Sequence, residues 1–364
     1  MSSRPDLRAV LSDEEIYWKD HQVWLQECGY MLRPLKRYSA EDGRMLSSGQ
    51  VIDAIRLEDE ASVLLKVISK DVHPDEAKIC EYFSSEGVAS DPRNHCIPLL
   101  AKLSPPDDED KLILVMKLLR RYDSPRFDTF GEVMECFRQI FEGLHFMHQH
   151  RVAHRDCNSL NIMMDGMHLF PDGCHPQPQY QDFMWDSFKR ARHYTRTQRP
   201  VKYYFIDFGI STMFAPGEDP RVEVIEGGDS SPPEFGTLEE RRDMSMPPKI
   251  LDPFPTDIYY LGNWIRTEFL EGYDLIDVSA KYGFDFMRPL VSAMVHDDPA
   301  KRPTIDEVVV RFGYIRERLS WWKLRSRVVK KDDFLLHLPR MLNHWYRRIG
   351  YILMRVPAIP TPKP

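Results

Sequence analysis

Near residue 130 the apolar pattern of this chain changes period, and that change limits the folds open to it. Upstream, Val51–Leu57 and Ser62–Ile68 are short runs rich in branched apolar residues, joined by the charged turn Glu58-Asp59-Glu60. Cys96–Leu103 and Leu112–Leu119 read as two more strands, separated by the polar loop from Ser104 to Asp110. Downstream, Val133, Phe137, Ile140, Phe141, Leu144 and Met147 fall on one face of a helix that reaches about His150. Two further helices are expected. One covers about residues 12–30, where Asp13, Glu14 and Glu15 suit the positive end of the dipole; the other covers Pro74–Ser84. A strand-rich part followed by a helix-rich part predicts an α+β fold of two lobes with a cleft between them. The 364 residues suffice for one such domain.

Charge narrows the partners. The net charge of −7 argues against nucleic acid, which demands a cationic surface. From Arg311 to Pro364, however, 13 Lys/Arg face only Glu317, Asp332 and Asp333, so this tail carries +10 and the remainder −17. The six cysteines are scattered without a CxxC pair, which speaks against a zinc site. The first residues lack the apolar run of a secretory signal, and no stretch is long enough to span a bilayer. Reduced thiols and a cytoplasmic or nuclear address are expected.

Two motifs carry chemistry. The first is His154-Arg155-Asp156-Cys157-Asn158-Ser159-Leu160-Asn161, an H-R-D-x-x-x-x-N pattern just after the long helix. A carboxylate such as Asp156 can orient a hydroxyl and accept its proton, and Asn161 offers a neutral oxygen to a metal ion. The second is the apolar strand Tyr203-Tyr204-Phe205-Ile206 ending in Asp207-Phe208-Gly209. A carboxylate at a strand end can hold Mg²⁺ that bridges nucleotide phosphates.

In this order the motifs resemble the protein-kinase superfamily, over about residues 45–320. The resemblance implies a bilobal kinase-like fold that binds ATP and Mg²⁺ and phosphorylates a hydroxyl of a protein substrate. Val63-Leu64-Leu65-Lys66 resembles the strand whose lysine contacts the α- and β-phosphates. Glu76 is similar to the helix acid that pairs with that lysine, with Glu81 as the other candidate. Met116 resembles the gatekeeper, and Lys117, Leu118 and Leu119 the hinge whose backbone reads adenine. Pro232-Pro233-Glu234 stands where the family has A-P-E. Asp257 opens the helix pattern D-x-x-x-x-G that anchors the catalytic loop, and Arg302 resembles the partner of the A-P-E glutamate. These last features separate protein kinases from small-molecule kinases. The tail and the phrase Val152–Cys157 resemble kinase-like proteins of basidiomycete fungi. The implied organisation is an N-terminal helical extension over 1–44, an N-lobe over 45–119, a C-lobe over 120–320 and a basic aromatic tail over 321–364.

The chain departs from the family in three places. No G-x-G-x-x-G precedes Lys66; only Gly43 and Gly49 stand nearby, which suggests weak ATP binding or a pseudokinase acting as a scaffold or regulator. Asn158 replaces the lysine that helps neutralise the transferred phosphate. The chain between Asn161 and Asp207 is long, and its stretch from Asp165 to Pro200 reads as a partly disordered surface insertion. Arg155 is expected to meet a phosphate on Ser211, Thr212, Ser230 or Ser231, or permanent charge from Glu223, Glu226 or Asp229. The tail is expected to pack on the acidic body or a partner, with membrane-surface contact as the alternative.

Overall fold

The computed structural model describes residues 13–32, 49–173, 183–184, 187–224, 229–237, 239–240, 249–272, 278–333 and 337–362. Gly43, Cys174, Glu226 and parts of the expected insertion lie outside the described residues. The chain forms two units, one of residues 1–89 and 97–118, the other of residues 90–96 and 119–364. The first is rich in sheet and the second in helix, as the change of period implies. Among the described residues no helix is long and apolar enough to cross a membrane.

In the first unit an antiparallel sheet has the order β1 (Tyr30–Leu32), β2 (Val51–Arg56), β3 (Ser62–Ser69), β5 (Lys111–Lys117), β4 (Leu99–Leu103). β5 contains the buried run Leu112–Met116, which suits a strand paired on both sides. β4 starts at Leu99 rather than at Cys96, because Pro98 cannot donate to a ladder and Cys96 bridges to Phe205 in the second unit. The helix expected over 12–30 is instead α1 (Asp13–Asp20) and α2 (Gln22–Glu27), followed by β1. Gly29, at φ +91°, makes the turn that ends α2 and lets Tyr30–Leu32 pair with β2. Trp18 and Leu25 lie in one core with Ala54, Val63, Leu65 and Ile113, so the N-terminal segment is part of this unit's core. The helix α3 (Glu76–Phe83) follows β3.

The second unit is organised around α4 (Phe130–Gln149), which is capped by Thr129 accepting from the Glu132 amide. Short strands follow: β6 (Arg120–Arg121), β7 (Val152–Ala153), β8 (Ile162–Met164), β9 (Phe183–Met184), β10 (Ser187–Arg190), β11 (Tyr203–Phe205), β12 (Thr212–Met213), β13 (Val222–Glu223) and β14 (Ile250–Leu251). β8 lies between β11 and β6, and β12 pairs with β7. The helices α5 (Phe254–Ile265), α6 (Arg288–Met294), α7 (Ile305–Arg318), α8 (Trp321–Leu324) and α9 (His337–Leu353) complete the unit. Phe137 meets Trp264 and Phe269 edge-to-face at 5.3 and 4.9 Å, which ties α4 to α5 and the turn after it.

Some of the described residues of the segment expected as a surface insertion are packed instead. Ala191 and Thr195–Thr197 are buried: Arg196 Nη2 donates to the Tyr122 carbonyl at 2.7 Å, and Thr197 donates twice to Glu132 at 2.8 Å. The reason is Glu132, a fully buried carboxylate that needs donors and finds them in this polar stretch.

Candidate active site

In the first unit Lys66 and Glu76 form a buried ion pair, Nζ to Oε1 2.5 Å. Lys66 sits in a strand paired on both sides, opposite Val51 and Leu114. Glu76 opens α3, where a negative charge suits the dipole. The pair is held by burial of the helix face carrying Ile79, Cys80 and Phe83. Glu81, the other candidate, pairs with Lys102 at the surface instead. Met116 is buried on β5, Lys117 ends that strand and Leu118 ends the unit, with Leu119 beginning the second.

In the second unit the H-R-D loop is organised by Asp257, fully buried in the first turn of α5. Its carboxylate accepts from the backbone amides of His154 at 2.8 Å and Arg155 at 2.7 Å, and from His148 Nε2 at 3.0 Å. The Cys157 thiol donates to its backbone carbonyl at 3.3 Å. Arg155 sits at φ +69°, an uncommon conformation for a side-chain-bearing residue that these bonds hold in place. His154 is buried; burial depresses its pKa, so the ring is neutral, with Nδ1 accepting from the Asp156 amide and Nε2 donating to the Ile206 carbonyl.

Asp156 itself is clasped by amides. Asn158 Nδ2 donates to Oδ1 at 2.6 Å, and Asn161 Nδ2 donates to Oδ2 and to the Asp156 carbonyl at 2.8 Å each. Burial first, and then the negative charges of Asp207 and Asp229, raise the Asp156 carboxyl to about 6 against the downward pull of the two amides. Asn161 is tied to the D-F-G strand, because its carbonyl accepts from the Ile206 amide at 3.1 Å. Asp207 follows at φ +65°, and Phe208 is buried with its ring 5.4 Å from that of His154.

With the Asn161 amide nitrogen committed to Asp156, its oxygen is the atom left to face a cation. A carboxylate and an amide oxygen are the hard donors that Mg²⁺ accepts beside phosphates. The charge that raises Asp156 is also charge a divalent cation would offset. Among the described residues no group of three or more His, Cys, Asp or Glu forms a metal cluster.

Arg155 meets two of the residues expected for it, Thr212 and Glu223, but Glu223 through its backbone. Its Nη2 donates to the Glu223 carbonyl at 2.6 Å and its Nη1 to Thr212 Oγ1 at 3.2 Å, so a backbone oxygen and a hydroxyl take the guanidinium rather than a carboxylate. Ser211 is also engaged, donating to the His154 carbonyl at 2.8 Å. The Asp229 carbonyl accepts from Tyr260, and Ser231 accepts from Asn263. Downstream, Glu234 and Arg302 form a bidentate pair at 2.7 and 2.6 Å, with Thr256 donating to the same carboxylate at 2.8 Å. Burial opposes the charge of Glu234, but Arg302 holds its carboxyl below the usual range.

Two features escape a reading by pattern. Asn158 marks a missing lysine, yet here it is a donor to Asp156. The other is the cluster at the start of α4, where Asp128 accepts from Arg347 at 2.7 Å and from His344 at 3.3 Å. The Thr129-x-x-Glu132 capping pattern signals the helix start but not these distant partners.

No protein-family model matches the chain, and no curated protein matches it.

Proposed function

We propose that this chain is a protein kinase with the bilobal kinase-like fold, using ATP and Mg²⁺ to phosphorylate a protein hydroxyl. The observation that supports the reading most is the clasp on Asp156: a carboxylate with both oxygens on amides, in a loop hung from Asp257, tied through Asn161 to the strand that ends in Asp207.

Each residue has a task in this reading. Asp156 orients the acceptor hydroxyl and takes its proton; with a pKa near 6 it is ionised at neutral pH. Asn158 and Asn161 fix its oxygens. Neutral His154 and buried Asp257 hold the loop. Asn161 and Asp207 would hold Mg²⁺, and Lys66, kept straight by Glu76, would hold the α- and β-phosphates. ATP, when bound, supplies the phosphoryl group. The buried Glu234–Arg302 pair speaks for a protein rather than a small-molecule acceptor.

A second reading, a catalytically weak pseudokinase serving as scaffold, is favoured by Asn158, which puts a neutral amide where a cation would meet the phosphate. Incorporation of labelled γ-phosphate into a generic protein decides between them. Wild type is expected to transfer in a Mg²⁺-dependent manner, and Asp156→Asn to lose about 10²–10⁴-fold of that rate. Nucleotide binding without transfer favours the scaffold. Absence of Mg²⁺-dependent nucleotide binding in wild type overturns both the enzyme and its cofactors.

A further inference from the structure

The helix α9 is built inside out. Its cations face the protein: Arg347 and His344 engage Asp128, Arg340 engages both oxygens of Asp333 at 2.8 Å, and Arg348 lies between the rings of Trp322 and Trp345 at 4.6 and 4.8 Å. Apart from buried Tyr351, its large apolar residues turn mostly to water. Leu338, Leu342, Trp345, Tyr346, Ile349 and Leu353 are all exposed, Tyr346 to 80% and Leu353 to 78%. Together they expose roughly 800 Å², above the roughly 300–600 Å² of the largest patch on a typical monomer and about what each partner of a standard interface buries.

Three observations select the occupant. The spacing of Leu338, Leu342, Trp345 and Ile349 alternates four and three residues, the pattern of a seam that packs against another helix. The cations that would draw the helix to anionic lipid are turned inward and paired, which disfavours a membrane. Finally, the stripe is symmetric about a point between Trp345 and Tyr346. An antiparallel copy laid on that point brings Leu338 against Leu353, Leu342 against Ile349 and Trp345 against Tyr346, and each pairing occurs twice. A surface that matches itself under a two-fold axis is what an isologous interface requires.

We propose that the chain forms a two-fold dimer through α9, packed antiparallel on the α9 of a second copy. Sedimentation velocity of the full chain at tens of micromolar tests it. Wild type is expected at twice the chain mass. The double variant Leu342→Glu/Ile349→Glu places like charges opposite each other and is expected to raise the dissociation constant about 100-fold or more. The double variant Leu342→Lys/Ile349→Lys is expected to do the same, and an equal mixture of the two to recover the dimer. Both sites are exposed, so the thermal unfolding of each variant is expected to show an intact fold. Val310→Glu, on the exposed face of α7, is expected to leave the mass unchanged. A monomeric wild type overturns the proposal, as do charged variants that keep the dimer mass. So does a monomeric wild type that floats with vesicles of phosphatidylserine and phosphatidylcholine. None of these outcomes depends on kinase activity.

Discussion

Asp257 and Asp128 are both buried carboxylates of the second unit, yet they are satisfied in opposite ways. Asp257 accepts from two backbone amides of the loop it organises and from His148 in the last turn of α4. Asp128 accepts from the side chains of His344 and Arg347, more than 200 residues downstream. Burial alone would push the Asp128 carboxyl up, but His344 and Arg347 bring it below the usual range. Backbone donors cannot leave without unmaking the loop, whereas side-chain donors on a separate helix can. The site is therefore rigid by construction, and the tail is attached by groups that a single substitution can release.

The largest test of this contrast is Asp257→Ala. It strands the His154 and Arg155 amides, and about 3–5 kcal/mol of stability should be lost, together with any transfer activity. Chemical denaturation measures the first; an unchanged midpoint would mean that the loop does not depend on Asp257. Asp128→Ala should cost less, about 2–3 kcal/mol, by leaving Arg347 and His344 without their carboxylate. It should also speed tryptic cleavage after Arg347 and Arg348, while the H-R-D loop stays protected from hydrogen exchange. Equal loosening of both regions would erase the difference between them.

Acid should separate the two regions further. Burial depresses the pKa of both His95 and His154, so the unfolded chain binds protons that the folded chain refuses. Stability is complete above the unfolded value of about 6.5 and falls as pH drops below it, by on the order of 1 kcal/mol toward pH 5.5. The Asp128 carboxylate, held low, stays charged through this window. Hydrogen exchange should thus rise around the loop before it rises in α9, and the reverse order would contradict the assignment. The smallest effect is expected from Thr212→Val, which removes one 3.2 Å bond to Arg155 while leaving the Glu223 carbonyl in place. A change of about 0.5–1 kcal/mol and a few-fold in rate should follow; loss of all activity would show that Thr212 does more than brace Arg155.

What sequence reading recovered was local. The period change at Phe130 and the contiguous H-R-D-x-x-x-x-N and D-F-G motifs depend on neighbours, and the structure shows these segments close to where the pattern put them; the Lys66–Glu76 pair, which only the family resemblance implied, is also present. Element ends shifted where one residue overrode a trend, as at Gly29 and Pro98. Partners set by distant burial were not legible. Nothing near Asn158 says that its amide turns to Asp156, and nothing near Thr197 says that it meets Glu132. The tail packs on an acidic group of the body, as expected, but with its cations rather than its apolar face turned inward. Basic residues on an amphipathic helix normally face water, but Asp128 and Asp333 draw them inward and leave the apolar stripe outside.

At Gly131, in the first turn of α4, a β-carbon would overlap the Ala358 carbonyl. Nearby, Arg325 donates to the Val356 carbonyl, and Tyr351 shares a 2.8 Å hydrogen bond with Thr195. The final stretch thus lies like a keel along the start of the principal core helix and the packed end of the insertion. Ending the chain at residue 320, where the recognisable motifs run out, would not yield a self-sufficient second unit. It would bare a groove over Gly131 and strip Asp128 of its counter-charge, so a truncated protein should be judged for solubility before it is judged for activity.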